Sequence, residues 1–273
     1  MTDRRFNFSN ARVKTPWFEG PETAEVRTPE TYVVVSPVLD LLDQPGGARE
    51  RQLLFNDVVD VLDITDGFAF VRSSVTGYVG YVLADALRPK PQTPVPDLWV
   101  LSRMTHAYAE PDIKSPECMV LSMGTQLSNL GEENDLLKTE AGWVTGRHVT
   151  SGTQSDPVAI AERLIGTPYL WGGNSASGID CSGLVWTAFA MCGVVLRPDS
   201  DLQNAHDGAV IDDGSVRRGD LWFWAGHVAM VVDAKHIIHA NAHHMAVVVE
   251  DADKALVRIG ATISRKRISL PHE

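Results

Sequence analysis

The sequence predicts a chain of two kinds of fold, a β-rich N-terminal half built from two copies of a small β-barrel and an α+β C-terminal domain. Short β-like runs separated by turn residues begin at Tyr32. After a proline-rich stretch, the same order of runs partly repeats. Beyond residue 150 helical patterns come first and strands follow, which is typical of an α+β domain.

The composition indicates a globular protein and excludes some partners. The chain has 273 residues, 44% of them hydrophobic, which is enough for two or three domains with buried cores. Its 35 acidic and 24 basic residues give a net charge of -11, and no basic run is present, so we expect neither nucleic acid nor a membrane as partner. No apolar segment follows the charged N-terminus, and we therefore expect a cytoplasmic protein. We also expect a monomer.

We divide the chain into five segments by composition and pattern. The N-terminal segment is polar, contains three prolines and has no sustained period, which predicts an extended arm whose Trp17 and Phe18 drape over another domain. The linker between the barrels carries four prolines, which predicts a stiff, extended connection. The segments are an arm (1–30), a first barrel (31–88), a linker (89–97), a second barrel (98–150) and an α+β domain (151–273).

A diverged internal repeat predicts the two barrels. Gln44-Pro45 corresponds to Glu110-Pro111, and Gly77-Tyr78-Val79 corresponds to Gly142-Trp143-Val144. Repeats of this kind are two copies of one structural unit. Five or so short strands in about 60 residues are typical of a small barrel.

A cysteine follows a glycine-rich loop in the third domain. The loop from Pro168 leads into Asp180-Cys181-Ser182, and the positions after it are apolar, with no helix breaker before Gly193. This pattern predicts that Cys181 lies on the first turn of a buried helix, capped by Asp180 or Ser182. The helix dipole there favours a thiolate, so Cys181 is a candidate nucleophile. The same stretch also fits a buried core cysteine.

We expect no disulfide framework from Cys181 and the two other cysteines of the chain. Cys181 and Cys192 lie about three helical turns apart, roughly 16 Å, which is too far for a disulfide. An odd number of cysteines leaves at least one thiol unpaired. We therefore expect a reducing compartment.

Two of the nine histidines are candidates for the base that a cysteine nucleophile needs. His227 opens a strand, and His239 lies near the end of the next strand. If the hairpin closes around residues 233–235, His239 faces Ala229 and His227 faces Asn241. Both histidines then lie on one sheet face as diagonal neighbours, whereas a shift of one residue would separate them. Taken singly, each also fits a half-buried strand histidine.

A metal site is the alternative role for the histidine-rich region. His236, His243 and His244 resemble a metal cluster, but His236 and His239 point to opposite faces of their strand. No cysteine or carboxylate completes a ligand set in the sequence pattern. We therefore predict no metal and no cofactor.

Several linked motifs between residues 157 and 270 resemble the NlpC/P60 family of papain-like cysteine peptidases, which cut bacterial cell-wall peptides. The resemblance implies that Cys181 is the nucleophile, His227 the general base and acid, and His239 the third polar residue. It also implies that Tyr169 helps to hold the oxyanion. The motifs are Tyr169-x-Trp171-Gly172-Gly173, Asp180-Cys181-Ser182-Gly183-Leu184, Arg218-Gly219-Asp220-Leu221, Gly226-His227-Val228-Ala229-Met230-Val231-Val232 and Ile237-Ile238-His239-Ala240.

The two barrels resemble bacterial SH3-like domains in strand order and in the Gly-Tyr-Val-Gly-Tyr-Val ending of the first copy, residues 77–82. Two such domains before the peptidase domain resemble the γ-D-glutamyl-L-diamino-acid endopeptidases. The resemblance implies that the first SH3-like domain narrows the cleft and demands a free N-terminal L-Ala. It also implies that Asp180 and Ser182 bind the ammonium group of that substrate.

Several other residues are also candidates for contact with the substrate, and each has an alternative role. Glu50 and either Tyr78 or Tyr81 are candidates in the first barrel, with barrel packing and a solvated loop charge as alternatives. Trp171, with three other tryptophans of the third domain, is expected in the core, although its position near Cys181 also suits the cleft. Arg197 and Gln203 could meet a substrate carboxylate. We place Trp171 among the substrate-binding candidates.

The leading hypothesis is an enzyme that cleaves the γ-D-glutamyl to L-diamino-acid bond of murein peptides with a free N-terminal L-Ala, during turnover or recycling. One alternative is an amidase or acyltransferase of the same papain-like fold acting on another amide. Another is a non-enzymatic SH3-type module that binds the cell wall, although Cys181, His227 and His239 argue against it.

Overall fold

The computed structural model describes residues 3–92, 94–212 and 215–271. The chain forms two compact units, residues 1–100 with 105–149 and residues 101–104 with 150–273. Parts of the predicted arm, linker and C-terminal domain lie outside the described residues, namely Met1, Thr2, Thr93, Asp213, Gly214, His272 and Glu273.

The N-terminal arm packs on the strands that follow it. Two short strands, β1 (Val13–Lys14) and β2 (Glu25–Val26), pair in parallel. Phe8 is fully buried in a cluster with Phe70, and Phe18 packs against that cluster. Trp17 is 62% exposed, so the packing predicted for it is wrong. The chain makes a turn here, in which the Phe18 N–H donates to the Thr15 carbonyl, and Phe18 rather than Trp17 packs on the cluster.

The first β-region, residues 30–89, is one antiparallel sheet of seven strands in the order β5–β4–β8–β7–β6–β3–β9. Its strands match the predicted β-like runs. At the tip of one hairpin Asp66 and Gly67 both have positive φ, the conformation that Asp-Gly turns favour. The strands are β3 (Glu30–Val34), β4 (Val38–Leu42), β5 (Arg49–Leu54), β6 (Val58–Thr65), β7 (Phe68–Ser73), β8 (Val79–Leu83) and β9 (Leu87–Pro89).

The second β-region, residues 98–151, has eight strands in two sheets of three and five strands, and its last elements repeat those of the first region. In both regions the penultimate strand leads through one 3-10 turn, Ala84–Ala86 or Gly146–His148, into a short last strand. Phe55 of the first region is buried in the core cluster of the second. The strands are β10 (Leu98–Val100), β11 (Met104–Tyr108), β12 (Glu117–Ser122), β13 (Gln126–Leu127), β14 (Gly131–Glu133), β15 (Leu136–Thr139), β16 (Gly142–Thr145) and β17 (Val149–Ser151).

The C-terminal unit has helices first and then a six-stranded antiparallel sheet in the order β20–β25–β21–β22–β23–β24, as an α+β domain requires. Its elements are α1 (Pro157–Glu162), β18 (Asn174–Ser175), β19 (Gly178–Ile179), α2 (Cys181–Met191), α3 (Ser200–Ala205), β20 (Ala209–Val210), β21 (Leu221–Trp224), β22 (His227–Val231), β23 (His236–Asn241), β24 (Ala246–Asp251), α4 (Ala252–Ile259) and β25 (Ser264–Arg267).

Helix α1 begins as the sequence predicts. The Asp156 carboxylate accepts the Val158 N–H at 2.9 Å, and Pro157 occupies the first helical position. The spacing of Val158, Ala161, Leu164 and Ile165 predicts one buried helical face, but α1 ends at Glu162 and Ile165 is 43% exposed. The described residues contain no helix long and apolar enough to cross a membrane.

Helix packing on the sheet positions the functional residues. Helix α2 contacts β22 and β23, while α4 packs on a cluster that includes Trp222, Ala229 and Ile237. The sequence pattern does not predict α4. The run Arg267-Ile268-Ser269-Leu270 predicts a last strand, whereas the last strand of the sheet is β25. The pairing of Phe223 with Ser264 sets the true register of that strand.

Candidate active site

Helix α2 begins at the candidate nucleophile. All eleven of its residues are buried, and Cys181 is 7% exposed. Asp180 caps the helix, since its Oδ1 atom accepts the Gly183 N–H at 2.6 Å. The predicted buried helix and its cap are therefore confirmed. A thiol on the first turn lies where the helix dipole favours the thiolate.

Asp180 also fastens the glycine-rich loop to this helix. Its Oδ2 atom accepts the Gly172 N–H at 2.9 Å, and the Ser182 hydroxyl donates to Oδ1 at 2.9 Å. Asp180 and Ser182 are buried, with 5% and 3% of their surfaces exposed. Their contacts show how they hold the loop, and the binding of a substrate ammonium by them stays a prediction.

The loop before the cysteine is tightly folded. A side chain at Gly173 would lie 2.5 Å from the Gly178 carbonyl oxygen, so only glycine fits there. Trp171 emerges from this turn and is 60% exposed, unlike the three other tryptophans of the domain. The core position expected for Trp171 is wrong, while its contact with substrate stays a prediction.

The loop is attached to one end of the six-stranded sheet. The Tyr169 N–H donates to the Met245 carbonyl at 2.9 Å, and the Tyr169 backbone pairs with Ile179, just before α2. Met245 lies in the turn between β23 and β24. Because β22 runs antiparallel to β23, its first residue, His227, lies at this same end. The topology therefore brings the N-terminus of α2 and His227 to one end of the sheet.

The two candidate histidines are in contact. Met230 pairs with Ile238 and Val231 with Ile237, which confirms the predicted register of the hairpin. His227 Nε2 lies 2.9 Å from His239 Nδ1. His239 is fully buried and His227 is half-buried. The sheet thus holds one imidazole directly behind the other.

A carboxylate extends this pair. His239 Nε2 lies 2.9 Å from Glu250 Oε2, and the Arg258 guanidinium of α4 binds the same oxygen. Sequence reasoning missed both residues. Since Ile237 pairs with Glu250 and His239 with Val248, Glu250 is the diagonal neighbour of His239. The register argument used for the histidines, applied to the next hairpin, would have found it.

Three side chains near the histidine pair are close enough together to be compared with a set of metal ligands. Donor atoms of His239, His244 and Glu250 lie within 4.8 Å of one another, so the expectation that no carboxylate joins these histidines is wrong. Arg258 binds the Glu250 carboxylate, and His244 Nδ1 lies 3.0 Å from Asn241 Oδ1. These contacts describe a hydrogen-bonded network.

Burial controls the charge of both imidazoles. Burial, together with the charge that His239 would carry, lowers the pKa of His227 to about 3. Burial also lowers the pKa of His239 to about 4, against the opposing effect of Glu250. Although burial alone would raise the pKa of Glu250, hydrogen bonds from Arg258 and His239 lower it. At neutral pH the site therefore holds two neutral imidazoles and one carboxylate, and a neutral imidazole can accept a proton.

Gln203 has a different role from the predicted one. It is fully buried, and its Nε2 atom donates to the Ser182 carbonyl at 2.9 Å. The prediction that it meets a substrate carboxylate is wrong, because α3 packs on α2 and turns this side chain inward. Arg197 is exposed.

Two of the three candidates in the first β-region are engaged in packing or ion pairing. The Glu50 carboxylate binds Arg4 at 2.7 Å. Tyr78 is 1% exposed, and its ring lies edge-on to Phe6 with centroids 5.1 Å apart. These contacts support the packing alternative for Tyr78, and binding of substrate by Glu50 stays a prediction.

Tyr81 lines a cavity. Its hydroxyl accepts from Asn10 Nδ2 at 3.1 Å, and the cavity of about 270 Å³ is also bordered by Asp63 and Phe70. Of the two tyrosines, Tyr81 is the one that is only partly buried. Its role in substrate binding stays a prediction.

Comparisons with known proteins show which families the two units resemble. Residues 166–259 match the NlpC/P60 family, and residues 41–87 match the bacterial dipeptidyl-peptidase SH3 domain. The chain is 28% identical over 236 residues to dipeptidyl-peptidase 6 of Lysinibacillus sphaericus, covering 77% of this chain and 87% of that protein. It is 32% identical over 93 residues to a γ-D-glutamyl-L-lysine dipeptidyl-peptidase of Bacillus cereus, covering 31% of this chain and 28% of that one.

A solved structure supports the fold. An NlpC/P60 family protein from Bacillus cereus has a TM-score of 0.77 at 20% identity, covering 87% of this chain and 99% of that one. The predicted papain-like fold with an N-terminal SH3-like domain is thereby confirmed. The chain therefore contains a peptidase domain of the NlpC/P60 family, preceded by a bacterial SH3 domain.

Proposed function

We propose that the protein is a cysteine peptidase that hydrolyses the γ-D-glutamyl to L-diamino-acid bond of murein peptides with a free N-terminal L-Ala. One observation carries the catalytic part, namely that the His227–His239 pair lies at the end of the sheet where α2 begins with Cys181. The substrate part is supported by the names of the similar dipeptidyl-peptidases and by the SH3 domain match.

The mechanism follows from the residue types. His227 takes the proton of Cys181, and the thiolate attacks the amide carbonyl. The oxyanion is held by the Cys181 N–H and the Tyr169 hydroxyl, and loss of one such donor costs on the order of a hundredfold in rate. His227 then protonates the leaving amine, and water releases the acyl group.

We also infer that residues 98–150 form a second SH3-like domain. The support is the repeated order of strands, 3-10 turn and last strand in the two β-regions. We further propose that the protein acts as a monomer on soluble peptides in a reducing compartment. The basis for the compartment is the odd number of cysteines in the sequence, which leaves at least one thiol unpaired.

The decisive experiment compares L-Ala-γ-D-Glu-diaminopimelate with its N-acetylated form as substrates. Cleavage of the free peptide alone would support the whole proposal. Equal cleavage would remove the requirement for a free N-terminus. If neither peptide is cleaved while another amide is, the enzyme is an amidase or acyltransferase of the same fold and the proposal is wrong.

A further inference from the structure

Glu250 reaches the candidate base through one buried imidazole. The contacts run from His227 Nε2 to His239 Nδ1, and from His239 Nε2 to Glu250 Oε2, each at 2.9 Å. His239 is fully buried, and the Glu250 side chain is 11% exposed. Three side chains from three neighbouring strands thus form one continuous hydrogen-bonded row.

The direction of every hydrogen bond in this row follows from the carboxylate. An ionised carboxylate only accepts, so His239 Nε2 carries the hydrogen. A neutral His239 then has a lone pair at Nδ1, and His227 Nε2 must donate to it. A neutral His227 with its hydrogen at Nε2 leaves Nδ1 unprotonated. The ring nitrogen available to take a proton is therefore Nδ1.

We propose that Glu250 is a positioning residue that fixes both imidazoles in this tautomer and balances the charge that forms on His227. The inference rests on the proposed roles of Cys181 and His227. In the proton transfer the Cys181 Sγ–H bond breaks and a His227 Nδ1–H bond forms. The products are a thiolate and an imidazolium, and no other proton moves. The negative charge of Glu250, acting across neutral His239, favours that imidazolium.

The other charged groups around the histidines act in a defined direction. Arg258 lowers the pKa of both His227 and His239, and Glu250 opposes it. His244, in the turn after β23, also lowers the pKa of His239. Helix α2 contributes Cys181 itself, and the one charged residue of α1, Glu162, binds Arg218 instead. Removing Glu250 and removing Arg258 should therefore have opposite effects on thiolate formation.

The test measures alkylation of Cys181 by iodoacetamide as a function of pH, resolved by peptide mass spectrometry. No substrate is needed, and exposed Cys118 is a reference thiol in the same protein. We expect Glu250→Gln to slow alkylation of Cys181 at neutral pH by about tenfold. Arg258→Met should make alkylation of Cys181 faster, because it removes a positive charge that opposes the imidazolium. Asp253→Asn removes an exposed charge in the first turn of α4 and should leave the alkylation rates of both Cys181 and Cys118 unchanged.

A purely structural ion pair between Glu250 and Arg258 would give another result. Both substitutions would then lower the melting temperature and slow alkylation alike, which would overturn the inference, as would an unchanged rate in Glu250→Gln. Glu250→Asp, which keeps the charge, should recover part of the rate if the carboxylate matters. If wild-type Cys181 reacts no faster than Cys118, the proposed nucleophile itself is wrong, and the two failures are distinguishable.

Discussion

The Arg4–Glu50 ion pair of the N-terminal unit and the histidine row of the C-terminal unit differ in exposure. The Arg4 side chain is 66% exposed and binds a Glu50 carboxylate that is 14% exposed. In the C-terminal unit, His239 is fully buried between His227 and Glu250. Exposed pairs contribute about 0–1 kcal/mol each, whereas a buried polar group costs stability unless it is bonded.

This difference in burial indicates which polar contacts are candidates for a functional role. A surface ion pair needs no special explanation, because it costs little to form or to lose. A row that holds the fully buried His239 between His227 and Glu250 would be simpler to replace by apolar side chains if it served stability alone. The row lies at the end of the sheet where α2 begins, which supports the proposal that it serves the chemistry of Cys181. The predictions below test this contrast.

Replacement of the nucleophile should have the largest effect. We expect Cys181→Ala to abolish peptide cleavage, because no thiolate remains to attack the amide. The Asp180 cap and the helix should persist, so the circular dichroism spectrum should match that of the wild type. Cys118→Ser, at an exposed position, is the matched control and should retain full turnover. Residual cleavage by Cys181→Ala would rule out the mechanism.

Loss of the second histidine should have the next largest effect. We expect His239→Ala to lower kcat by about 10²-fold, with KM changed less, because His227 loses the acceptor that orients it. His236→Ala is the control on the same strand, since that side chain is half-exposed and binds Asp233 instead. Equal kcat values for the two variants would show that the His227–His239 contact has no catalytic role.

Acid should weaken the C-terminal unit through the same histidine. The pKa of His239 is about 4 in the folded state and 6.5 in the unfolded state, so between these values the unfolded state binds more protons. The free energy of unfolding therefore falls as pH is lowered from 6.5, by about 3 kcal/mol at pH 4 from this group. Denaturant titrations of wild type and His239→Gln should show a shallower fall in the variant. Parallel curves would contradict this assignment.

Surface pairs of the N-terminal unit should have the smallest effect. We expect Arg4→Ala to change the free energy of unfolding by less than about 1 kcal/mol, because the Arg4 side chain is 66% exposed. Urea denaturation at low and high salt measures the change, and added salt should reduce it further. A loss of several kcal/mol would remove the contrast between the two units.

The sequence by itself determined the features that depend on neighbours along the chain. The Asp156 and Asp180 caps, the buried helix after Cys181, and the hairpin that joins His227 to His239 all follow from local hydrogen bonding and periodicity. Residues two or three positions apart satisfy a cap, and a short turn sets a register. Such patterns can be identified from the amino-acid sequence without knowledge of the tertiary structure.

Only the tertiary structure decided how separate elements meet. Glu250 joins the site because β24 lies beside β23, and Arg258 joins it because α4 packs on the sheet. Trp171 is exposed and Gln203 buried for the same kind of reason, since long-range packing determines which way a loop or short helix turns its side chains. Burial then sets the charge of the imidazoles, because desolvation depends on everything packed around them.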